Sequence, residues 1–332
     1  MKTFVTLLAF LFLVLFSGCS TKEVFEPTKI SQDWSAYGES NSSLVELGSN
    51  IALLENGTIL TKTDSINIDL NRSFRVITRS DEWIISSSVD GNLSLTSIDN
   101  SNSKIEFNLK KTIASASTHK DTLAVLFADN EMALYSISSK KLLFKEQGSK
   151  STVVDSRVIP PYFMRGLILF STLNGKVVII NEKLKKKLRT IIVSTEENFN
   201  NIIYFNVIDD KIIAATGTKM LSLAAKEIRV KYEIRNIVYD DKEIFITTKQ
   251  GEIISLTPDL QVNAKIKLPL AHFLALIYDG EKLYLLENEG YMIVVDKNLK
   301  NYTVHPVDIE DGYIFTTQKT FFVGDSYISI DE

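Results

Sequence analysis

The stretch LILFSTLNGKVVII, residues 167–180, sets two short apolar runs around Asn174-Gly175. Asn-Gly is the dipeptide of a type I′ turn, in which both central residues need positive φ, so the stretch reads as a tight β-hairpin. The same unit recurs as IALLENGTILTK (51–62), WIISSSVDGNLSLTSID (83–99), LAVLFADNEMALYSI (123–137), IIAATGTKMLSL (212–223), IFITTKQGEIISL (244–256), LYLLENEGYMIVV (283–295) and IFTTQKTFFVGDSYISI (314–330). The first residues after the turns, 57, 91, 131, 175, 218, 251, 290 and 326, are 33 to 44 apart. A period of about 40 with four strand-sized segments per unit is the signature of a β-propeller. Eight units predict an all-β, eight-bladed ring; the alternative is seven blades with the first hairpin peripheral. No unit holds ten residues of 3.6 periodicity, which sets aside a helical solenoid.

Each hairpin has flanking segments. FRVIT (74–78), TVVDSRVI (152–159), NIIYFNVI (201–208), RNIVYD (235–240) and HFLALIYDG (272–280) precede hairpins and are expected as innermost strands. SINIDL (65–70), KIEFNL (104–109), KLLFKE (141–146), LRTIIV (188–193), EIRVKYE (227–233) and AKIKLP (264–269) follow them and alternate charge with apolar residues, as water-facing edge strands do. The eighth unit has no outer strand left before Glu332. A strand from the N-terminal segment, within Glu23 to Trp34, is expected to complete it.

The start of the chain carries a different signal. Lys2, the 14-residue apolar run Thr3 to Phe16, then Ser17-Gly18 before Cys19 form the layout of a secretory signal, too short to span a bilayer as a helix. Phe16-Ser17-Gly18-Cys19 resembles a bacterial lipobox, which implies cleavage before Cys19 and acylation of its thiol. Two or three acyl chains, at about 0.8 kcal/mol per buried methylene, hold a protein on a membrane. Ser20 in place of Asp implies, by the same resemblance, the outer membrane of a Gram-negative cell, with the protein facing the periplasm. The organisation expected is a signal peptide at 1–18, a lipidated N-terminus and polar tether at 19–43, and a propeller at 44–332.

Composition limits the chemistry. Apolar residues are 45% and charged residues 23%, enough for a sizeable core, and a net charge of -4 argues against nucleic acid as a partner. One cysteine excludes an internal disulfide and cysteine-based zinc clusters, and His119, His272 and His305 lie far apart. No metal or other cofactor is expected. Asp209-Asp210 and Asp240-Asp241 read as solvated turns, and KLKKKLR (183–189) as a basic turn between strands.

DSRVIPPYFMRGLILFSTLNGKVVIINEKLKKKL (155–188) resembles a pyrroloquinoline-quinone-type propeller repeat, and NEMALYSISSKKLLFKE (130–146) looks like the second half of one. An eight-unit propeller of this type behind a lipobox is similar to the BamB family of barrel-assembly lipoproteins. That resemblance implies a non-catalytic scaffold whose partner is an outer-membrane barrel-assembly protein or its unfolded barrel clients. The alternatives are a scaffold lipoprotein of another envelope complex and, from a different class, a quinone-binding or hydrolytic propeller enzyme. The candidate partner-binding stretch is RVIPPYFMRG (157–166). Pro160-Pro161 removes two amide donors, which places the stretch in an extended loop, and Arg157, Pro161, Tyr162, Phe163 and Arg165 offer the aromatic and guanidinium chemistry that interface centres favour. The competing reading has Phe163 and Met164 plugging the propeller core.

Overall fold

A computed structural model describes residues 23–151 and 154–331, and no helix occurs among them. Cys19 and the signal segment 1–18 lie outside the described residues. The strands form eight four-stranded antiparallel sheets, each a meander from the axis outward. Blade 1 comprises Leu44–Leu47, Ala52–Leu54, Thr58–Leu60 and Ser65–Asn67; blade 2, Arg75–Ser80, Trp83–Ser87, Asn92–Ser97 and Lys104–Asn108. Blade 3 is Ile113–His119, Thr122–Phe127, Glu131–Ser136 and Leu142–Gln147; blade 4, Tyr162–Met164, Leu167–Ser171, Lys176–Asn181 and Lys186–Ile192. Blade 5 is Tyr204–Ile208, Lys211–Ala215, Lys219–Leu223 and Glu227–Lys231; blade 6, Ile234–Tyr239, Ile244–Thr248, Glu252–Leu256 and Val262–Lys267. Blade 7 is Phe273–Tyr278, Lys282–Glu287, Tyr291–Asp296 and Tyr302–Pro306. Blade 8 takes Ile314–Thr316, Thr320–Val323 and Ser326–Ser329 from the C-terminal end and Tyr37–Glu39 from the N-terminal end.

The middle strands are nearly all buried, while the outer ones alternate, as in Glu227–Lys231 and Val262–Lys267. The second turns of blades 2, 4 and 6 need their glycines twice over. Gly91 sits at φ 85° and a Cβ there would lie 2.4 Å from the Lys111 carbonyl oxygen. The Gly91 carbonyl accepts the Leu109 N–H, and Gly175, Gly251 and Gly290 accept Val193, Leu268 and Val307 in the same way. One repeated bond thus ties the end of an outer strand to the turn beside it. In blade 3, Asn130 replaces the glycine, with φ 67° and the same bond from Gly148.

The core is distributed over eight seams. Each of eight buried clusters draws its side chains mainly from two adjacent blades; Ile85, Leu93, Leu95 and Phe107 of blade 2 meet Ile113, Leu123, Val125 and Phe127 of blade 3 in one of them. One of the two smallest, Leu44, Ala52, Leu54, Leu60 and Phe315, joins blade 1 to blade 8.

Closure by the N-terminal segment is as expected, with the strand shifted to Tyr37–Glu39, which pairs antiparallel with Ser326–Ile328. Residues 23–43, expected as part of a tether, are instead built into the ring. Phe25 is buried in the seam between blades 6 and 7, and Trp34 in the seam between blades 7 and 8. Ser31 and Trp34 donate their N–H groups to the Val304 and Pro306 carbonyls on the edge of blade 7. The Trp34 indole N–H donates to the Ser329 carbonyl at 2.8 Å and its ring meets Tyr284 and His305 edge-on. The segment is a strap, anchored by two aromatic side chains.

Truncating the strap's anchor tests its role in closure. Trp34→Ala removes a large buried side chain and an indole hydrogen bond, and is expected to cost about 3–5 kcal/mol in chemical unfolding. A loss below about 1 kcal/mol would mean that the ring closes without the strap.

Candidate functional site

The sequence-derived partner stretch folds differently from expectation. Residues 154–161 carry no strand, so the expected innermost strand at 152–159 is not formed among its described residues. The innermost strand of blade 4 is Tyr162–Met164, paired in register with Leu167–Leu169. Arg165 (φ 48°) and Gly166 (φ 77°) make the two-residue turn between them. The two prolines therefore end an irregular segment and let the strand begin at the next residue, where an N–H is available. Phe163 packs into the seam between blades 3 and 4, against the His119 ring at 5.4 Å, and Met164 into the seam between blades 4 and 5. Tyr162 lies against Phe205 at 5.4 Å and keeps 37% of its surface exposed. Arg165 pairs with Asp210 of blade 5 at 3.0 Å with both side chains about four-fifths exposed. Thus Tyr162 and Arg165 reach the surface, Phe163 and Met164 lie half-buried against the seams, and Arg157 and Pro161 belong to a different feature.

That feature is the axis of the ring. From Asp155 to Pro161 the chain crosses it as an extended plug. The Asp155 N–H donates to Asn201 Oδ1 at 2.7 Å, and Asn201 Nδ2 returns to the Asp155 and Arg157 carbonyls, next to blade 5. Arg157 forms a fork with Asp155, 2.9 and 2.6 Å, and donates to the Arg235 carbonyl of blade 6 at 2.6 Å. Ser49 of blade 1 donates to the Val158 carbonyl at 2.8 Å, and Ser115 of blade 3 to Ile159 at 3.2 Å. Ser117 donates to the Pro161 carbonyl. Pro161 is buried here, and an irregular backbone inside a protein needs these side-chain donors, which small hydroxyls on the innermost strands supply.

Beside the plug, the rest of the channel is open. It encloses a volume of about 660 Å³, walled by the innermost strands of blades 5 to 8 and part of blade 1. Arg235 and Tyr239, near the two ends of one innermost strand, both face it, so it runs about 13 Å along the axis at about 3.3 Å per residue. Ile203, Ile237, Leu274, Leu276 and Ile314 give the wall apolar surface, and Tyr204 stands edge-on to Tyr239 at 6.0 Å. The Tyr204 hydroxyl is buried with no hydrogen-bond partner in bonding geometry among the described residues.

The charged groups of that wall are Lys62, Arg157 and Arg235, with no carboxylate among the lining residues. Arg157 is neutralised by Asp155. The Lys62 ammonium donates to the Thr316 carbonyl and hydroxyl at 2.6 and 2.8 Å and stands 4.9 Å from the Phe315 ring centre. Neither Lys62 nor Arg235 makes an ion pair among the described residues. Lys62 is exposed at the channel mouth, and the neighbouring protein that displaces part of its hydration pushes its ammonium down to about 8. A second hollow of about 750 Å³ between blades 1 and 2 has mixed charge, Glu46, Glu55 and Asp69 against Arg72. Among the described residues no three His, Cys, Asp or Glu side chains are grouped to hold a metal ion.

The Lys62 face also carries ion pairs that bridge neighbouring blades. Lys297 of blade 7 reaches Asp240 and Glu243 of blade 6 at 2.7 and 3.2 Å. Burial opposes ionisation of Asp240, but hydrogen bonds from Lys297, the Lys242 and Glu243 amides and the Tyr278 hydroxyl outweigh it and hold the carboxyl at about 2. The Asp240 turn, read from sequence as solvated, is thus a joint between blades. A carboxyl held below its unfolded value stabilises the fold above about pH 4 and loses that contribution as pH falls towards 2. Asp240→Asn should therefore cost about 1 kcal/mol at pH 7, in the range of partly exposed pairs, with the difference from the parent vanishing near pH 2. Thermal melts at the two pH values check this; a pH-independent difference would remove the ion pair as its cause.

These features define an eight-bladed β-propeller with an N-terminal strap and a half-filled axial channel. No protein-family model matches the sequence. The chain is 27% identical to the plasminogen-binding protein PgbB of Helicobacter pylori strain J99, over 86% of its own length and 61% of the relative's. The PgbB of H. pylori strain 26695 matches with the same identity and shares. The chain thus spans less than two thirds of these relatives. Among solved structures, BamB from Moraxella catarrhalis matches 90% of this chain and 100% of its own at a TM-score of 0.63 and 10% identity. The C-terminal WD40 domain of Sif2 matches 92% and 100% at a TM-score of 0.64 and 12% identity. At such identities the structural likeness speaks for the fold alone.

Proposed function

We propose that this chain is a non-catalytic protein-binding propeller, anchored to the outer membrane by lipid on Cys19 and facing the periplasm. The observation that carries the binding role is the similarity to PgbB, which runs over 86% of the chain and so takes in most of the ring. The lipobox-like Phe16-Ser17-Gly18-Cys19 motif supports the anchor. Five residues lie between Cys19 and Phe25, which is buried between blades 6 and 7. An extended chain of that length spans roughly 20 Å at most. A lipidated ring would therefore sit with its blade 6 and 7 rim beside the bilayer, held short by the strap.

Two partners fit this role. An outer-membrane barrel-assembly protein or its unfolded clients is favoured by the lipobox together with the BamB-like propeller. Plasminogen is favoured by the relatives' own binding partner, at a sequence identity well above that of the structural neighbours. The exposed Tyr162 and Arg165 remain candidate contacts for either.

Cys19→Ser should leave the fold intact and move the protein from the membrane fraction to the soluble fraction. Persistence of the variant in the outer membrane at high salt would remove lipid as the anchor. For the partner, tagged protein is used to capture proteins from solubilised envelopes, and in parallel is titrated with purified plasminogen by surface plasmon resonance. Selective recovery of a barrel-assembly component supports the first partner, and saturable plasminogen binding the second. Failure of both overturns the role.

A further inference from the structure

The geometry points to the open half of the axial channel as a binding site for an extended, acidic polypeptide segment, whose carboxylates pair with Lys62 at one mouth and Arg235 near the other. This deepens the protein-binding role proposed above by assigning it a site and a ligand chemistry.

The charge pattern comes first. In a protein of net charge -4, this channel has a wall with three cations and no carboxylate. Two of them, Lys62 and Arg235, have no acidic partner among the described residues, and no Asp or Glu lines the wall to supply one. Lys62 is held in place by Thr316, so its position is set before any ligand arrives. Charge left uncompensated in a concave, partly dehydrated wall favours an anionic occupant.

The length comes second. Thr316 ends the innermost strand of blade 8, and Tyr239 that of blade 6, so Lys62 marks the mouth where these strands finish. Arg235 is the second residue of its strand and lies towards the opposite mouth. About 13 Å separates those levels, the span of four residues of extended chain. A mineral anion would reach one cation; an extended segment with acids four residues apart would reach both.

The nature of the occupant follows from the other half of the channel. There, Asp155–Pro161 already lies as an extended polypeptide, with its backbone carbonyls met by Ser49, Ser115, Ser117 and Asn201. Its side chains pack on the same kind of mixed wall, Val158 and Ile159 joining the adjoining clusters. The open half has a mixed wall as well, with apolar Ile203, Ile237, Leu274 and Ile314 beside polar Thr317 and Gln318. Its volume of about 660 Å³ lies within the range of ligand-holding clefts. The ring is thus shaped for two extended strands of polypeptide and contains one of its own.

The test uses the folded chain and a synthetic peptide, acetyl-Glu-Thr-Val-Thr-Glu-amide, titrated by isothermal calorimetry. Controls are the same peptide with Lys or Gln at both ends, glutarate and inorganic phosphate. The Glu-ended peptide is expected to bind at one site. Lys62→Met and Arg235→Gln, each checked by thermal melting for an intact fold, should each weaken it tenfold or more, and the Lys-ended peptide should not bind. Lack of binding to the folded parent overturns the proposal, as does equal affinity in the double variant. Equal binding of glutarate or phosphate overturns the polypeptide assignment. The titration contains neither plasminogen nor envelope proteins, so its failure is distinguishable from failure of the broader binding role.

Discussion

A four-stranded blade cannot bury itself. Its two faces carry apolar side chains, and sheets pack stably only when such faces meet another layer. Here each face is covered by the next blade around the axis, which is why the buried residues fall into eight seams rather than one central core. Every blade depends on both neighbours, so the ring is stable as a whole only when its last seam is made. That seam, between blades 8 and 1, is one of the two least populated of the eight. The burden of closure passes to the strap, which contributes a strand to blade 8, edge hydrogen bonds to blade 7 and two aromatic anchors.

The same architecture frees the axis from structural work. Because the seams lie between blades, side chains on the innermost strands need not fill the centre, and their chemistry is available for other uses. One half of the centre is taken by a connection of the chain's own, threaded between blades 3 and 4 and fixed by serine and asparagine side chains. The other half keeps cations that the fold does not neutralise. The exposed outer strands show the opposite habit: Lys187 pairs with Glu146 and Arg189 with Glu227 across neighbouring blades. Of the five basic residues at 183–189, Lys187 and Arg189 thus lie on the outer strand of blade 4 and form rim ion pairs.

Much of the ring is legible in the sequence because its repeating parts are local. Asn-Gly and Asp-Gly turns announce the hairpins, and alternation along Glu227–Lys231 or Val262–Lys267 announces an outer strand. The missing strand of the last unit follows from counting. What is not legible is whatever depends on chain segments meeting from afar. TVVDSRVI has the composition of a strand, but Pro160-Pro161 follow it and the blade begins only at Tyr162. Arg165-Gly166 was the available signal, since a two-residue turn followed by an apolar run places a strand just before it. Trp34 and Phe25 stand in a polar stretch with no periodicity, and their burial depends on seams some 250 residues later in the chain. Lys62, Arg235 and Thr316 share a channel only because the ring closes.

The strap also dictates when the ring can exist. Tyr37–Glu39 is made some 290 residues before its partner Ser326–Ser329. While a chain is synthesised at roughly 5–20 residues per second, successive blades can stack behind one another, but both ends of the growing stack remain open sheet edges. The first strand must wait unpaired for the whole interval. Joining ends so distant costs loop entropy only logarithmically, so the delay is kinetic more than thermodynamic. A chain interrupted before Ser326 can build blades yet never lock them, and would be left with an exposed edge that proteases and holding chaperones can recognise. The closing strand thus acts as a proofreading step that distinguishes finished molecules from unfinished ones.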